Sequence, residues 1–171
     1  LVGENGAGKS TLMKVLSGAH SPDRGRMWLD GRPYAPRSPL RARRSGVAMI
    51  YQELSLAPHL SVMENILLGI EPTLGPLIRW KETRRRAVQA IQEVGDAEIE
   101  PEIEVRRLPI AKQQMVEIAR AVALESRVLV LDEPTSSLTR NDIEKLFSLI
   151  RRLKEKGLAV IYISHFLEEV Q

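Results

Sequence analysis

The chain has 171 residues, 43% of them hydrophobic and 27% charged, the size and balance of a single globular domain with a full core. Having no cysteine, it excludes disulfides, thiolate catalysis and Cys-ligated metals, which suits a reducing compartment. A net charge of +3 fits anionic ligands but is too small to mark a nucleic-acid-binding protein, and no apolar run approaches the roughly 18–20 residues of a membrane span.

Leu1-Val2 leads into Gly3-Glu4-Asn5-Gly6-Ala7-Gly8-Lys9-Ser10-Thr11, which matches G-x-x-x-x-G-K-[ST]. Glycines free the backbone to turn its N–H groups toward a polyphosphate, since no Cβ blocks the approach. Lys9 supplies a point charge for the terminal phosphates, Ser10 offers a hydroxyl to Mg²⁺, and Thr11 to Leu16 reads as a helix with its positive end facing the anion. The plainer alternative is a glycine-rich turn before an ordinary helix. Such a loop normally follows a buried strand, and the last residues stop inside an apparent helix. The sequence therefore reads as a fragment cut within its own sheet.

Met27-Trp28-Leu29, Asp30-Gly31 and Arg32-Pro33-Tyr34 predict a hairpin on a type I′ turn. Ser38-Pro39 starts a short helix whose Arg41, Arg43 and Arg44 read as a solvated face. Gly46 to Tyr51 is a buried strand followed by Gln52-Glu53. Ser61-Val62-Met63-Glu64 is a capping box opening a helix over 64–68, which residues 71–76 break. A second helix spans Trp80 to Val94, with Ala87, Val88, Ile91 and Val94 inward, Arg84-Arg85-Arg86 outward and Gly95 as its stop. Ala111 to Leu124 is helical. Arg127 to Leu131 is a strand ending in Asp132-Glu133, a helix begins at Thr139, and a last strand, Leu158 to Ile163, leads to Ser164-His165. Alternating strands and helices predict an α/β fold with a mostly parallel sheet flanked by helices, carrying an inserted helical subdomain. The division is a catalytic core over 1–60 and 125–171, with the helical subdomain over 61–124.

Four features fall at the ends of these strands, where open α/β sheets place ligands: Gly3 to Thr11, Tyr51-Gln52-Glu53, Leu131 to Thr135, and Ile163-Ser164-His165. In that order they resemble the P-loop NTPase domain of ATP-binding cassette (ABC) transporters. The segment from Leu108 to Arg120 stands where that family carries its signature ahead of a helix. Tyr51-Gln52-Glu53-Leu54, Met115 to Ala119 and Tyr162 to His165 resemble its monosaccharide-import branch (ribose, xylose, galactose), first cassette.

The resemblance implies ATP and Mg²⁺ as cofactors, with residues 3–11 holding the nucleotide. It makes Asp132, Ser10 and Gln52 the metal-side residues, Glu133 the base for the attacking water, and His165 the group that contacts the γ-phosphate. It also implies a second ABC domain as partner, in the same chain or a dimer. Membrane permease subunits and, indirectly, a periplasmic sugar-binding protein follow, at the cytoplasmic face of a bacterial inner membrane, with no direct nucleic acid. Ser136-Ser137-Leu138-Thr139 resembles the loop that crosses between paired subunits. The alternatives are a soluble cassette ATPase acting on nucleic acid or ribosomes, or a degenerate nucleotide-binding module. No N-K-x-D motif supports a GTPase.

One departure stands out. Pro109 replaces the signature serine and Ile110-Ala111 replace its glycines, so the segment lacks a hydroxyl and an N–H for a γ-phosphate. The expectation is an intact P-loop site in this domain and a weakened one where it completes its partner's.

Overall fold

The computed structural model describes residues 1–3 and 6–164. Helix α1 (Lys9–Leu16) is followed by strands β1 (Met27–Leu29) and β2 (Arg32–Tyr34), helix α2 (Pro39–Arg44) and strand β3 (Val47–Ile50). Then come α3 (Val62–Leu67), β4 (Thr73–Leu74), β5 (Leu77–Ile78) and α4 (Trp80–Val94). A 3₁₀ turn at Val105–Arg107 precedes α5 (Ile110–Ala123), β6 (Val128–Asp132), α6 (Arg140–Glu155) and β7 (Ala159–Ile163).

The centre is a parallel sheet in the order β3-β6-β7, with Ile50 opposite Leu131 and Asp132 opposite Ile163. Val2 bridges Ser164 in the same parallel sense, so the chain entering the glycine-rich loop lies beside the end of β7. Side chains alternate across a pleated sheet, and here both faces are covered. Ala48, Ile50, Leu129 and Leu131 face the larger core, shared with α3, α4, α5 and α6. Val47, Val130 and Ile163 face a smaller one with Met13 of α1, Tyr34 of β2 and Ala42 of α2. Leu129, Leu131 and Val130 are fully buried, so truncating Leu129 or Leu131 to alanine would cost about 2–5 kcal/mol.

The hairpin forms as its turn chemistry requires: Asp30 and Gly31 both take positive φ, 50° and 73°. Tyr34 Oη donates to the Leu16 carbonyl at 2.6 Å, tying the hairpin to the end of α1, and burial pushes its pKa up to about 12. Helix α4 runs over Trp80–Val94 with Gly95 at φ 77° closing it. Its buried face is Thr83, Ala87, Ala90, Ile91 and Val94, with Val88 only half-buried.

Three readings shift. Helix α3 starts at Val62, because Ser61 is the N-cap and Glu64 its reciprocal third residue. Residues 71–76 do more than break a helix: Gly75-Pro76 turns the chain into the β4–β5 hairpin, closed by Arg79 N–H donating to the Pro72 carbonyl at 2.8 Å. Its Leu74 and Leu77 are exposed, so no burial pattern announces strands. Arg43 is half-buried rather than part of a solvated face.

Candidate functional site

Three strands and one loop bring the candidate residues to one edge of the sheet. Gln52 lies two residues past β3, Asp132 closes β6, and Gly3 follows Val2 at the end of β7. Neighbouring strands are about 4.8 Å apart, so Gly3 and Asp132 are separated by roughly two strand spacings, about 10 Å. Lys9 and Glu133 therefore lie on the same edge.

The loop earns its glycines. Gly8 is the N-cap of α1 at φ 86°, ψ 4°, and Gly6 sits at φ 84°, both in the left-handed region that disfavours a Cβ. Among the described residues a Cβ at either would meet nothing within 4 Å, so the constraint these residues reveal is conformational. Lys9 folds back over the loop and donates to the Gly3 carbonyl. Ser10 and Thr11 are exposed at the first turn of α1, where backbone N–H groups lack intrahelical partners.

Asp132 is half-buried at the end of an apolar strand. Burial raises its pKa, the neighbouring Glu133 raises it further, and the Lys9 ammonium acts against both. Glu133 holds a left-handed backbone at φ 47° while its N–H donates to the Ile163 carbonyl at 3.0 Å. A non-glycine residue there costs on the order of 1 kcal/mol, and the β6–β7 register holds it in place. Gln52 is exposed. Glu4, Asn5 and His165 lie outside the described residues.

Among the described residues no group of three or more acidic or histidine side chains forms a metal cage. A hydroxyl at Ser10 and a carboxylate at Asp132 suit a hard cation that takes its other ligands from phosphate and water. The glycine loop, the lysine and this sparse oxygen set fit a metal–polyphosphate.

The segment before α5 has a different build. Pro109 is the N-cap at φ −56°, ψ 153°, with no side-chain cap, and Ile110 is 46% exposed. Two polar residues of α5 that periodicity passes over, Gln114 and Glu117, are each 5% exposed. Gln114 Nε2 donates to the Pro134 carbonyl at 2.8 Å, just past Glu133. Their signal in the sequence is two polar residues three apart amid Met115, Ile118 and Ala119.

A family model described as ABC transporter matches residues 1–136. The chain belongs to the ABC transporter family. It is 51% identical over 170 residues to the ribose import ATP-binding protein RbsA of Chromobacterium violaceum, covering 99% of this chain and 34% of that protein. It is 50% identical over 170 residues to the ribose import ATP-binding protein RbsA 2 of Escherichia coli O157:H7, covering 99% and 33%. The chain thus spans about a third of the length of the curated relatives it matches. Among solved structures, the ADP conformation of the ATP-binding cassette MJ1267 superposes with a TM-score of 0.84 at 25% identity, over 99% of this chain and 70% of that one. The ABC cassette fold, a P-loop domain with a parallel sheet, flanking helices and a helical subdomain, is the fold of this chain. No helix among its described residues is long and apolar enough to cross a membrane.

Proposed function

We propose that this chain is the nucleotide-binding and hydrolysing part of an ABC importer for a monosaccharide, coupling ATP hydrolysis to transport. The observation that carries the reading is the shared end of the sheet, where the glycine loop follows Val2 beside β7 and Asp132 closes β6 next to it. The likeness to ribose import proteins supports the sugar branch.

In this reading the N–H groups of residues 3–11 and the Lys9 ammonium hold the β- and γ-phosphates. Mg²⁺, when bound, neutralises charge on the phosphate oxygens. Ser10 and Asp132 hold it, with Gln52 alongside. Glu133 accepts the proton of the attacking water and orients it, a role worth about 10²–10⁴-fold. His165 contacts the γ-phosphate. Residues 1–60 and 125–171 form the catalytic core, and 61–124 the helical subdomain with the signature segment.

The partners are a second ABC domain, the permease subunits at the cytoplasmic face of the inner membrane, and through them a periplasmic sugar-binding protein. Pro109 leaves the partner's site short of a donor. The deciding experiment is ATP turnover by the full-length protein assembled with its permease, with and without Glu133→Gln. Loss of turnover with nucleotide binding retained supports the reading; undiminished turnover overturns it.

A further inference from the structure

Helix α5 carries two buried polar side chains three residues apart, hence on one face. Each reaches a different loop of the sheet edge. Gln114 holds the loop after Glu133 through the Pro134 carbonyl. Glu117 Oε1 accepts from the Ser55 N–H at 2.6 Å and from Ser55 Oγ at 2.9 Å. Ser55 lies three residues beyond Gln52, in a stretch without helix or strand. Among the described residues, the hydrogen bonds tying residues 53–56 to other elements both end on Glu117. The next anchor, Asn65 Oδ1 accepting from the Ala57 N–H at 2.7 Å, belongs to α3.

Ser55, Arg120 and Arg43 all act on the carboxylate at this position. Its Oε2 and the neighbouring Arg120 Nε have no hydrogen-bond partner among the described residues. Both residues, with Arg43 of α2, line a cavity of about 30 Å³. A buried carboxylate with one unpartnered oxygen costs folding energy that the two neighbouring guanidiniums offset only in part. What the side chain supplies is one oxygen, Oε1, that accepts from a backbone N–H and a hydroxyl together.

We propose that Glu117 is a positioning residue that fixes the segment carrying Gln52 to α5, so that Gln52, the Pro109 end of α5 and the loop after Glu133 are held as one body. Nothing in the contact requires Glu117 to touch nucleotide. The inference rests on the reading of Gln52 as a site residue in the ATPase. Its consequence is that the start of α5 cannot shift relative to β6 without carrying the Gln52 segment with it.

The test is a double-mutant cycle in the full-length protein assembled with its permease, pairing Glu117→Ala with Gln52→Ala, with Glu117→Gln as the conservative control. Misplacing Gln52 is expected to lower kcat about tenfold with KM for ATP within about twofold. Because Glu117 acts through Gln52, its substitution adds nothing in the Gln52→Ala background. Glu117→Gln keeps an acceptor oxygen for Ser55 and restores turnover to within about threefold of wild type. Additive losses, or a Glu117→Ala variant turning over like wild type, overturn the proposal. Should Glu133→Gln leave turnover intact, the ATPase reading falls, and hydrogen exchange at the Ser55 amide still decides on the tether. Protection lost in Glu117→Ala and kept in Glu117→Gln supports it; protection unchanged in both overturns it.

Discussion

Two helices of this cassette begin at places the family assigns to nucleotide, and they begin in opposite ways. Helix α1 opens on Gly8 with a left-handed backbone, and Lys9 donates back to the Gly3 carbonyl. Helix α5 opens on Pro109 in an extended conformation, followed by an exposed Ile110. The cation of its first turn, Lys112, is engaged at 2.8 Å by Glu98, which raises its pKa. Both helices carry the same macrodipole. The residues before the first turn therefore decide whether it becomes an anion site: a left-handed glycine lets donors converge, and a proline removes one while holding the chain straight.

The sharpest way to break this contrast is to remove the charge that distinguishes α1. Lys9→Ala in the full-length protein is expected to weaken ATP binding about a hundredfold, read by equilibrium titration. The companion substitution Glu133→Gln separates binding from chemistry, lowering turnover about a hundredfold or more at nearly constant affinity. Equal affinity in Lys9→Ala and wild type would mean that the α1 loop is no more an anion site than the start of α5.

A milder probe acts on conformation alone. Gly8→Ala meets no atom of the described residues within 4 Å, so its cost is the left-handed backbone, about 1–2 kcal/mol, or roughly tenfold in nucleotide affinity. Wild-type affinity in this variant would show that the glycine cap is incidental. The reverse substitution at α5 sharpens the same point. Pro109→Ser restores a hydroxyl and an N–H and is expected to raise turnover of the assembled transporter a few-fold, the worth of about one hydrogen bond. Affinity at this chain's own loop should not move. No gain would count against a weakened partner site.

Much of this contrast is legible in the amino-acid sequence, because both helix starts are decided by residues with strong local preferences. Gly8, Pro109, the Asp30-Gly31 turn and Gly95 act within a residue or two of their own positions: the positive-φ residues turn the chain, and Pro109 keeps it extended. The parallel strands β3, β6 and β7 are apolar runs that end in polar residues. The β4–β5 hairpin is not legible, because its Leu74 and Leu77 are exposed and mimic loop residues. Glu117 is hidden for a different reason. Its partner Ser55 is 62 residues away in sequence, and a pattern of helical spacing cannot say that a polar residue beside an apolar stripe points inward. Arg43 reads as solvated for the same cause: the cavity it lines is assembled from α2, β3 and α5 only on folding.

The smallest effect comes from that buried carboxylate and bears on the α5 side alone. Burial raises the pKa of Glu117, while the Ser55 N–H and hydroxyl, Arg120 and Arg43 all act to lower it. The folded-state value lies above that of the unfolded chain, so the native state holds the proton more tightly. Stability is then fullest below the ordinary glutamate range and declines as pH climbs from that range to the raised folded value. Glu117→Gln keeps an acceptor for Ser55 but does not titrate. The stability difference between Glu117→Gln and wild type should therefore shift in the variant's favour across that interval and level off above it. Urea denaturation of the full-length protein at stepped pH values reads this directly. A difference independent of pH would mean that Ser55, Arg120 and Arg43 balance burial and leave the carboxyl where it lies in the unfolded chain.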